Sequence, residues 1–378
     1  VYYDRNGDKV TDKWAKSGNN WYYLDSNGEM AVDTLIEDGD NYYYVDINGV
    51  MAANQWVAID NEDAGQDDEP EHYWYYFQAN GKALKQGDSD KVSLKTVNGK
   101  KYAFDDEGKM LYGWVDENSA ERIDNTDGDA FKEATYYFGG EDDGAMTTGW
   151  LLIDVSYDEA TNDDYKYTAP TFNDDDDQTR WFYFKSNGKR AENEKITYKG
   201  KSYYFDTDGK MLTGWVNTGD GTSAVNEANG YEAGHTFYCD ETGARVEGAW
   251  VKDVAPGVDD DDADADEYWY YLKKATGKPA TGKQSNINGQ IYLFNGEGQM
   301  QSGWVAATDP NGVKFVQLDK EDEEQAMSAA GKNDVYYCGD EDDGHAKKNK
   351  WLKTWLPDDT NEEEDDMKWF WFDKNGKL

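Results

Sequence analysis

One phrase is written three times in this chain: NGKKYAFDDEGKMLYGWV at 98–115, KGKSYYFDTDGKMLTGWV at 199–216 and NGQIYLFNGEGQMQSGWV at 288–305. In the second copy Tyr203, Tyr204 and Phe205 form an aromatic run of the kind enriched in strands. The DTDG that follows is turn chemistry, with Gly209 free to take positive φ, and Lys210–Leu212 begins a return strand. A two-stranded hairpin alone is marginal in water. Such a unit therefore needs neighbours, and self-similarity at intervals of this size marks an array of stacked units.

The pattern of aromatic run, turn and glycine recurs at about thirteen places between Tyr2 and Trp369. From residue 73 the units cycle through three types. The first is YWYYFQANGKA (73–83), echoed as RWFYFKSNGKR, YWYYLKKATGK and KWFWFDKNGKL. The second is the repeated phrase. The third is TYYFGGEDDGAMTTGW (135–150), with HTFYCDETGAR and DVYYCGDEDDGH as its relatives. Trp150 to Trp250 is 100 residues and Trp250 to Trp351 is 101, so a super-repeat of about a hundred residues holds three hairpins.

Charge is distributed in the same two-part way. The 378 residues carry 38 Lys and Arg against 79 Asp and Glu, a formal charge of −41. Seven segments that follow closing tryptophans (57–72, 115–135, 151–180, 216–235, 251–267, 305–334 and 352–368) hold 48 of the acids and 10 of the bases. The remainder is close to neutral, which predicts an uncharged scaffold bearing acidic loops. The scaffold's apolar surface comes from 15 Trp and 29 Tyr spread evenly along the chain. Each buried aromatic removes roughly 150–250 Å² from water. Even spacing predicts many small cores in a row. Cys239 and Cys338 occupy one position of the third type, a full repeat apart, and are expected to be buried thiols without a disulfide.

At NNWYYLDSNGEMA (19–31) and NYYYVDINGVMAANQWV (41–57) the sequence resembles the choline-binding and glucan-binding repeats of Gram-positive surface proteins, the cell-wall-binding repeat family. The shared pattern is an aromatic pair, Asp-x-Asn/Asp-Gly, Met or a small residue, then Gly-Trp. It covers all thirteen units and leaves out the acidic segments. The resemblance implies an all-β solenoid of stacked β-hairpins, about three hairpins per turn, carrying long acidic loop insertions. Residues 1–378 then form one continuous array, with close-spaced hairpins in 1–56 and three-hairpin super-repeats in 57–378. The resemblance also implies cages between consecutive hairpins, where aromatic faces hold a quaternary ammonium by cation–π attraction. Trp14, Trp21, Tyr23 and Met30 match that geometry best. Trp114, Trp150, Trp215, Trp250, Trp304 and Trp351 are expected to be structural core.

Among the acidic segments, DNTDGD (Asp124, Asp127, Asp129) and the run Asp259, Asp260, Asp261 and Asp262 are the candidate ligands for calcium, a hard cation that favours carboxylates. The runs at 173–178 and 361–366 are of the same kind. None has the spacing of an EF-hand, and a solvated loop that keeps a surface protein soluble is the competing reading. No organic cofactor is expected. Phosphate binding needs a basic surface, so nucleic acid is excluded as a partner. No run of about 18 apolar residues exists to span a membrane. His72, His235 and His345 share no repeat position, and no nucleophile or phosphate-loop motif is present. With no signal peptide and an opening inside a repeat, the sequence reads as part of a longer protein. The expected function is a non-catalytic extracellular module that binds cell-wall polymer or carbohydrate, either choline-bearing teichoic acid or glucan, and attaches a larger surface protein. The alternative is a structural rod or filament, self-associating end to end and displaying acidic, calcium-associating loops.

Overall fold

The computed structural model describes residues 1–154, 179–225, 228–309, 311–318, 334–355 and 367–378. Among these the regular structure is all-β: short strands, one 3-10 turn at Ala130–Lys132, and no α-helix. Every strand pairing is antiparallel, in ten two-stranded and two three-stranded sheets. The chain divides into two compact units, Val1–Glu192 with Thr207–Met211, and Asn193–Asp206 with Leu212–Leu378.

In the first unit Lys13–Ser17 pairs with Asn20–Leu24, Thr34–Asp38 with Asn41–Val45, and Gln55–Asp60 with His72–Phe77. Lys95–Val97 then pairs with Lys100–Tyr102, Trp114–Val115 with Tyr136–Tyr137, and Gly149–Asp154 with Thr179–Phe184. The second unit repeats the plan. Glu194–Tyr198 pairs with Lys201–Phe205, Gly214–Asn217 with Thr236–Cys239, and Ala249–Val254 with Glu267–Leu272. Gly282–Ile287, Trp304–Ala307 and Lys350–Thr354 pair with Gln290–Phe294, Val335–Tyr337 and Lys368–Phe372.

These registers correct the expected hairpin. The strand carrying each closing tryptophan pairs with the next unit's aromatic run, as Trp215 does with Tyr238 and Trp250 with Tyr271. The long segments after the tryptophans therefore connect the two strands of one hairpin instead of separating hairpins. The Asp-x-x-Gly element does turn the chain, but its return leg makes only a single bridge, such as Phe104 with Met110 or Phe294 with Met300. The turn is closed locally. In the turn at 105–109 the Asp105 carboxylate accepts the Glu107 and Lys109 amides at 2.9 and 2.8 Å.

Each return leg instead ties its unit to the preceding hairpin. The amide of Met110 donates to the Trp74 carbonyl at 2.8 Å, that of Met51 to Trp21 at 2.8 Å, and that of Met300 to Trp269 at 2.9 Å. A following glycine makes room for the methionine: a Cβ on Gly344 would lie 2.6 Å from Met300 Sδ.

Apolar packing is local and serial. In the first unit Trp114, Phe131, Tyr137, Phe182 and Phe184 form one cluster, and Ala103, Leu111, Val115 and Phe138 another. In the second, Trp215 packs with Tyr270 and Leu272, and Trp304 with Val335 and Phe372. Cys239 and Cys338 are free and buried. Burial pushes the Cys239 thiol up to about 12 and raises that of Cys338 as well.

Candidate ligand site: aromatic cages

The six closing tryptophans separate into two kinds. Trp114, Trp215 and Trp304 are only 4%, 8% and 4% exposed. The Trp215 ring stands 4.9 Å from Tyr238 and 4.6 Å from Tyr270, and its indole N–H donates to the Val254 carbonyl at 2.9 Å. These three are core, as expected. Trp150, Trp250 and Trp351 are not buried; Trp351 is 61% exposed. Their hairpins carry a second tryptophan in the paired strand. Trp150 lies 6.1 Å from Trp181, and Trp250 lies 6.4 Å from Trp269. The expectation that all six are core is thus corrected for these three. At Trp250, with that second indole in the paired strand, the closing ring faces a space.

Around Trp250 that space is a cavity of about 220 Å³ lined by Trp250, Trp269, Tyr292, Met300, Asp342 and Asp343. Trp250 lies 4.8 Å from Tyr292, edge to face. Three successive hairpins build the site. A first-type hairpin supplies the two tryptophans. The second-type hairpin that follows gives Tyr292 and, from its turn, Met300. The third-type turn GDEDDG brings in Asp342 and Asp343. Asp342 Oδ1 accepts the Trp269 indole N–H at 3.1 Å and the Lys252 ammonium at 3.1 Å. These bonds hold its carboxyl below the ordinary range. Burial first, and then the Asp343 charge, raise the Tyr292 phenol.

The first unit carries the same arrangement about 200 residues earlier. Trp56 stands 4.8 Å from Tyr102, and the Met110 amide bonds the Trp74 carbonyl. The Trp74 indole donates to Asp142 Oδ1 at 2.9 Å. Asp142 also takes His72 Nε2 at 2.7 Å, in the role that Lys252 fills at Asp342. Burial and then Asp143 raise Tyr102, as burial and Asp343 raise Tyr292. The repeated phrase thus delivers the tyrosine and the methionine of the cage.

A second cavity, near the start of the chain, is lined by Trp14, Trp21, Tyr43 and Met51, with Lys16, Asn19, Asn20, Asp46, Gln55 and Asn80 among its other walls. Trp14 stands 5.0 Å from Tyr43, and Lys16 Nζ lies 5.9 Å from the Trp21 ring centre. The Trp14 indole donates to Asp38 Oδ2 at 3.2 Å.

The sequence matches known repeats at these positions. A choline-binding repeat model matches residues 10–56, which contain Trp14, Trp21, Tyr43, Met51 and Trp56. A cell wall binding repeat model matches 196–211. Over these residues the repeats are of the choline-binding and cell-wall-binding kind. Among curated relatives, glucosyltransferase-S of Streptococcus mutans is 32% identical over 81% of this chain and 20% of its own length. Glucosyltransferase-I of Streptococcus downei is 29% identical over 35% of this chain and 8% of its own. The chain thus spans a fifth or less of these relatives' lengths. Among solved structures, CbpJ of Streptococcus pneumoniae is 18% identical, covering 97% of this chain and 99% of its own at a TM-score of 0.48. Choline binding protein F of the same species is 19% identical, with 97% of each chain covered and a TM-score of 0.46.

Of the residues singled out from sequence, Trp14 and Trp21 line the first cavity together. Tyr23 packs edge-on against Trp14 at 5.1 Å. Met30 is 44% exposed and lies against Gly49 of the next turn. Tyr43 and Met51, one hairpin further on, line the cavity and were not singled out. The signal for them was the same tyrosine and methionine in the repeated phrase. The second tryptophan of each first-type strand (Trp74, Trp181, Trp269) was likewise legible in the quoted motifs.

The carboxylates of Asp259, Asp260 and Asp261 gather within 4.8 Å of one another on the surface. Asp262 stands beside them in sequence and outside that trio. Asp124, Asp127 and Asp129 do not form such a trio. The Asp124 carboxylate turns back to accept the Thr126 amide and hydroxyl, at 2.9 and 2.6 Å. Asp127 and Asp129 are exposed. The acidic runs at 173–178 and 361–366 lie outside the described residues. No described helix is long and apolar enough to cross a membrane.

Proposed function

We propose that this chain is a non-catalytic, extracellular module that attaches a larger protein to choline-bearing polymer of a Gram-positive cell wall. The observation that supports it is the recurring cage of two tryptophans, a tyrosine and a methionine, seen most fully at Trp250, Trp269, Tyr292 and Met300. Ring faces around a small cavity attract a quaternary ammonium by roughly 0.5–2 kcal/mol per well-placed ring, most when water is excluded. The methionine supplies a soft, adaptable floor. Several such sites on one chain raise avidity for a polymer that carries many headgroups.

Within each unit we read the hairpins as a solenoid of about three per turn. The reach of Asp142 back to Trp74, and of Asp342 back to Trp269, across the intervening hairpin supports this path. The test is retention on a choline resin with elution by free choline. Retention on dextran in place of choline would move the assignment to glucan. No retention on either, together with fibres in the microscope, would favour a structural rod.

A further inference from the structure

The register that gives each cage its closing tryptophan gives the three second-type hairpins a lysine instead. Lys195 pairs with Tyr204 as Trp250 pairs with Tyr271, and Lys95 and Lys283 hold the same place opposite Tyr102 and Leu293. A further lysine stands in the turn two hairpins on, after the glycine: Lys189, Lys278 and Lys377.

In the first and third copies an acid of the chain itself neutralises the turn lysine. Lys189 Nζ meets Glu117 at 2.7 Å, and Lys377 Nζ meets Asp334 at 3.2 Å. The middle copy has neither acid. Two residues after the closing Trp-Val, Thr218 stands where Glu117 does. The Thr218 amide bonds the His235 carbonyl at 2.9 Å as the Ala307 amide bonds that of Asp334, also at 2.9 Å, so His235 stands in the place of Asp334. Among the described residues neither Lys195 nor Lys278 has an ion-pair partner.

Both lysines border an open cavity of about 530 Å³ that has Arg245, Thr218, Thr222 and Phe237 in its wall and Glu194 as its one acid. Arg245 occupies the place that methionine has in the cages. Its amide donates to the Ser202 carbonyl at 2.8 Å, as that of Met300 does to Trp269, and its side chain lies against Gly277 as Met300 lies against Gly344. The guanidinium is anchored, Nε on Glu247 Oε1 at 3.0 Å and Nη1 on the Tyr204 hydroxyl at 2.9 Å. Glu247 offsets Arg245, which leaves two exposed ammonium groups against Glu194 alone.

We propose that this pocket binds a phosphate group, free or as an ester on a larger ligand, between the Lys195 and Lys278 ammonium groups. Lysine in place of tryptophan, and arginine in place of methionine, turn a space suited to a cation into one suited to an anion. Glu117 and Asp334 show what the turn lysine accepts in the other two copies: an oxyanion. Two ammonium groups with no acid between them match a doubly charged oxyanion better than one carboxylate, and lysine serves phosphate as a point charge. The chain's charge of −41 does not prevent this, because at physiological salt its field fades within about 8 Å and the local groups decide. The inference rests on hairpin register and stands apart from the choline reading.

The test uses the full chain labelled with 15N-threonine, the Thr222 amide signal being assigned by Thr222→Ser. Inorganic phosphate, glycerol phosphate and acetate are titrated separately at neutral pH and fixed ionic strength. Both phosphates are expected to shift the Thr222 signal to saturation, with acetate several-fold weaker. The tighter of the two phosphates tells a free ion from an ester. Lys195→Gln and Lys278→Gln should each weaken phosphate by on the order of tenfold. Thr218→Glu, which restores the acid of the first copy, should abolish phosphate binding without lowering the unfolding midpoint. A Thr222 signal that neither phosphate moves overturns the proposal. So does acetate binding as tightly as phosphate, or phosphate binding at full strength in Lys278→Gln or Thr218→Glu. Choline takes no part in these titrations, so such results leave the cages untouched.

Discussion

Replacing Trp215 and Trp250 by alanine, one at a time, separates core from cage within a single unit. Trp215 is 8% exposed, touches two tyrosine rings edge-on, and donates its indole N–H to the Val254 carbonyl. Core Trp→Ala changes cost about 3–5 kcal/mol, and an orphaned buried carbonyl adds about 1–3 kcal/mol where water cannot reach it. Trp215→Ala should therefore cost the second unit about 4 kcal/mol or more. Trp250 borders an open cavity and has no comparable bond, but its ring stacks on Phe294 at 5.7 Å and meets Tyr292 at 4.8 Å. Losing a half-buried ring of this kind should cost about half as much, roughly 2 kcal/mol. Denaturant unfolding followed by circular dichroism gives both values, and choline titration gives the second readout. Trp250→Ala should abolish choline binding at its own cage while the unit stays folded. Equal destabilisation by the two changes, or undiminished choline binding at the Trp250 cage, would refute the division of the tryptophans.

Other consequences are as direct. Asp68 and Arg122 pair at 2.8 Å and bridge two of the long connections, the Asn125 amide bonding the same carboxylate oxygen at 2.9 Å. Asp68→Ala should destabilise the first unit by about 2–3 kcal/mol. That is less than for a fully buried pair, because Arg122 keeps some contact with water. Gly144 has a φ of 69° and rests against Met110, so Gly144→Ala should cost about 1–2 kcal/mol in the same unfolding assay. The raised thiols of Cys239 and Cys338 should leave both unreactive toward an alkylating reagent at neutral pH until the chain is denatured. The Asp342 carboxyl is held down by the Trp269 indole and by Lys252, so its bonds persist above the ordinary carboxylate range and are lost as pH falls through the depressed value. The Trp269 indole N–H resonance should accordingly stay constant from neutral pH down to about 4 and move only below that; a midpoint above 4 would contradict the assignment.

The all-β architecture was legible because aromatic runs and Asp-x-x-Gly turns are local signals, closed within five residues, as at Asp105. The hairpin boundaries were not. The return leg after each turn looks like a strand, yet it makes one bridge, while the extensive pairing runs across connections such as 218–235, whose partners no local pattern announces. The two fates of the closing tryptophans turn on whether the paired strand brings a second indole, as Trp269 does for Trp250, or a tyrosine and a buried neighbour, as for Trp215. That distinction was present in the letters but needs the strand pairing to be read. The carboxylates beside the cages are further removed still. Asp142 and Asp342 look like members of any charged turn until the fold sets them against Trp74 and Trp269.

A crystal structure of the chain soaked with choline addresses the central claim most directly. The account expects trimethylammonium density enclosed by Trp250, Trp269 and Tyr292 above Met300, and again by Trp14, Trp21 and Tyr43. Choline seated elsewhere while those rings enclose only solvent would contradict it.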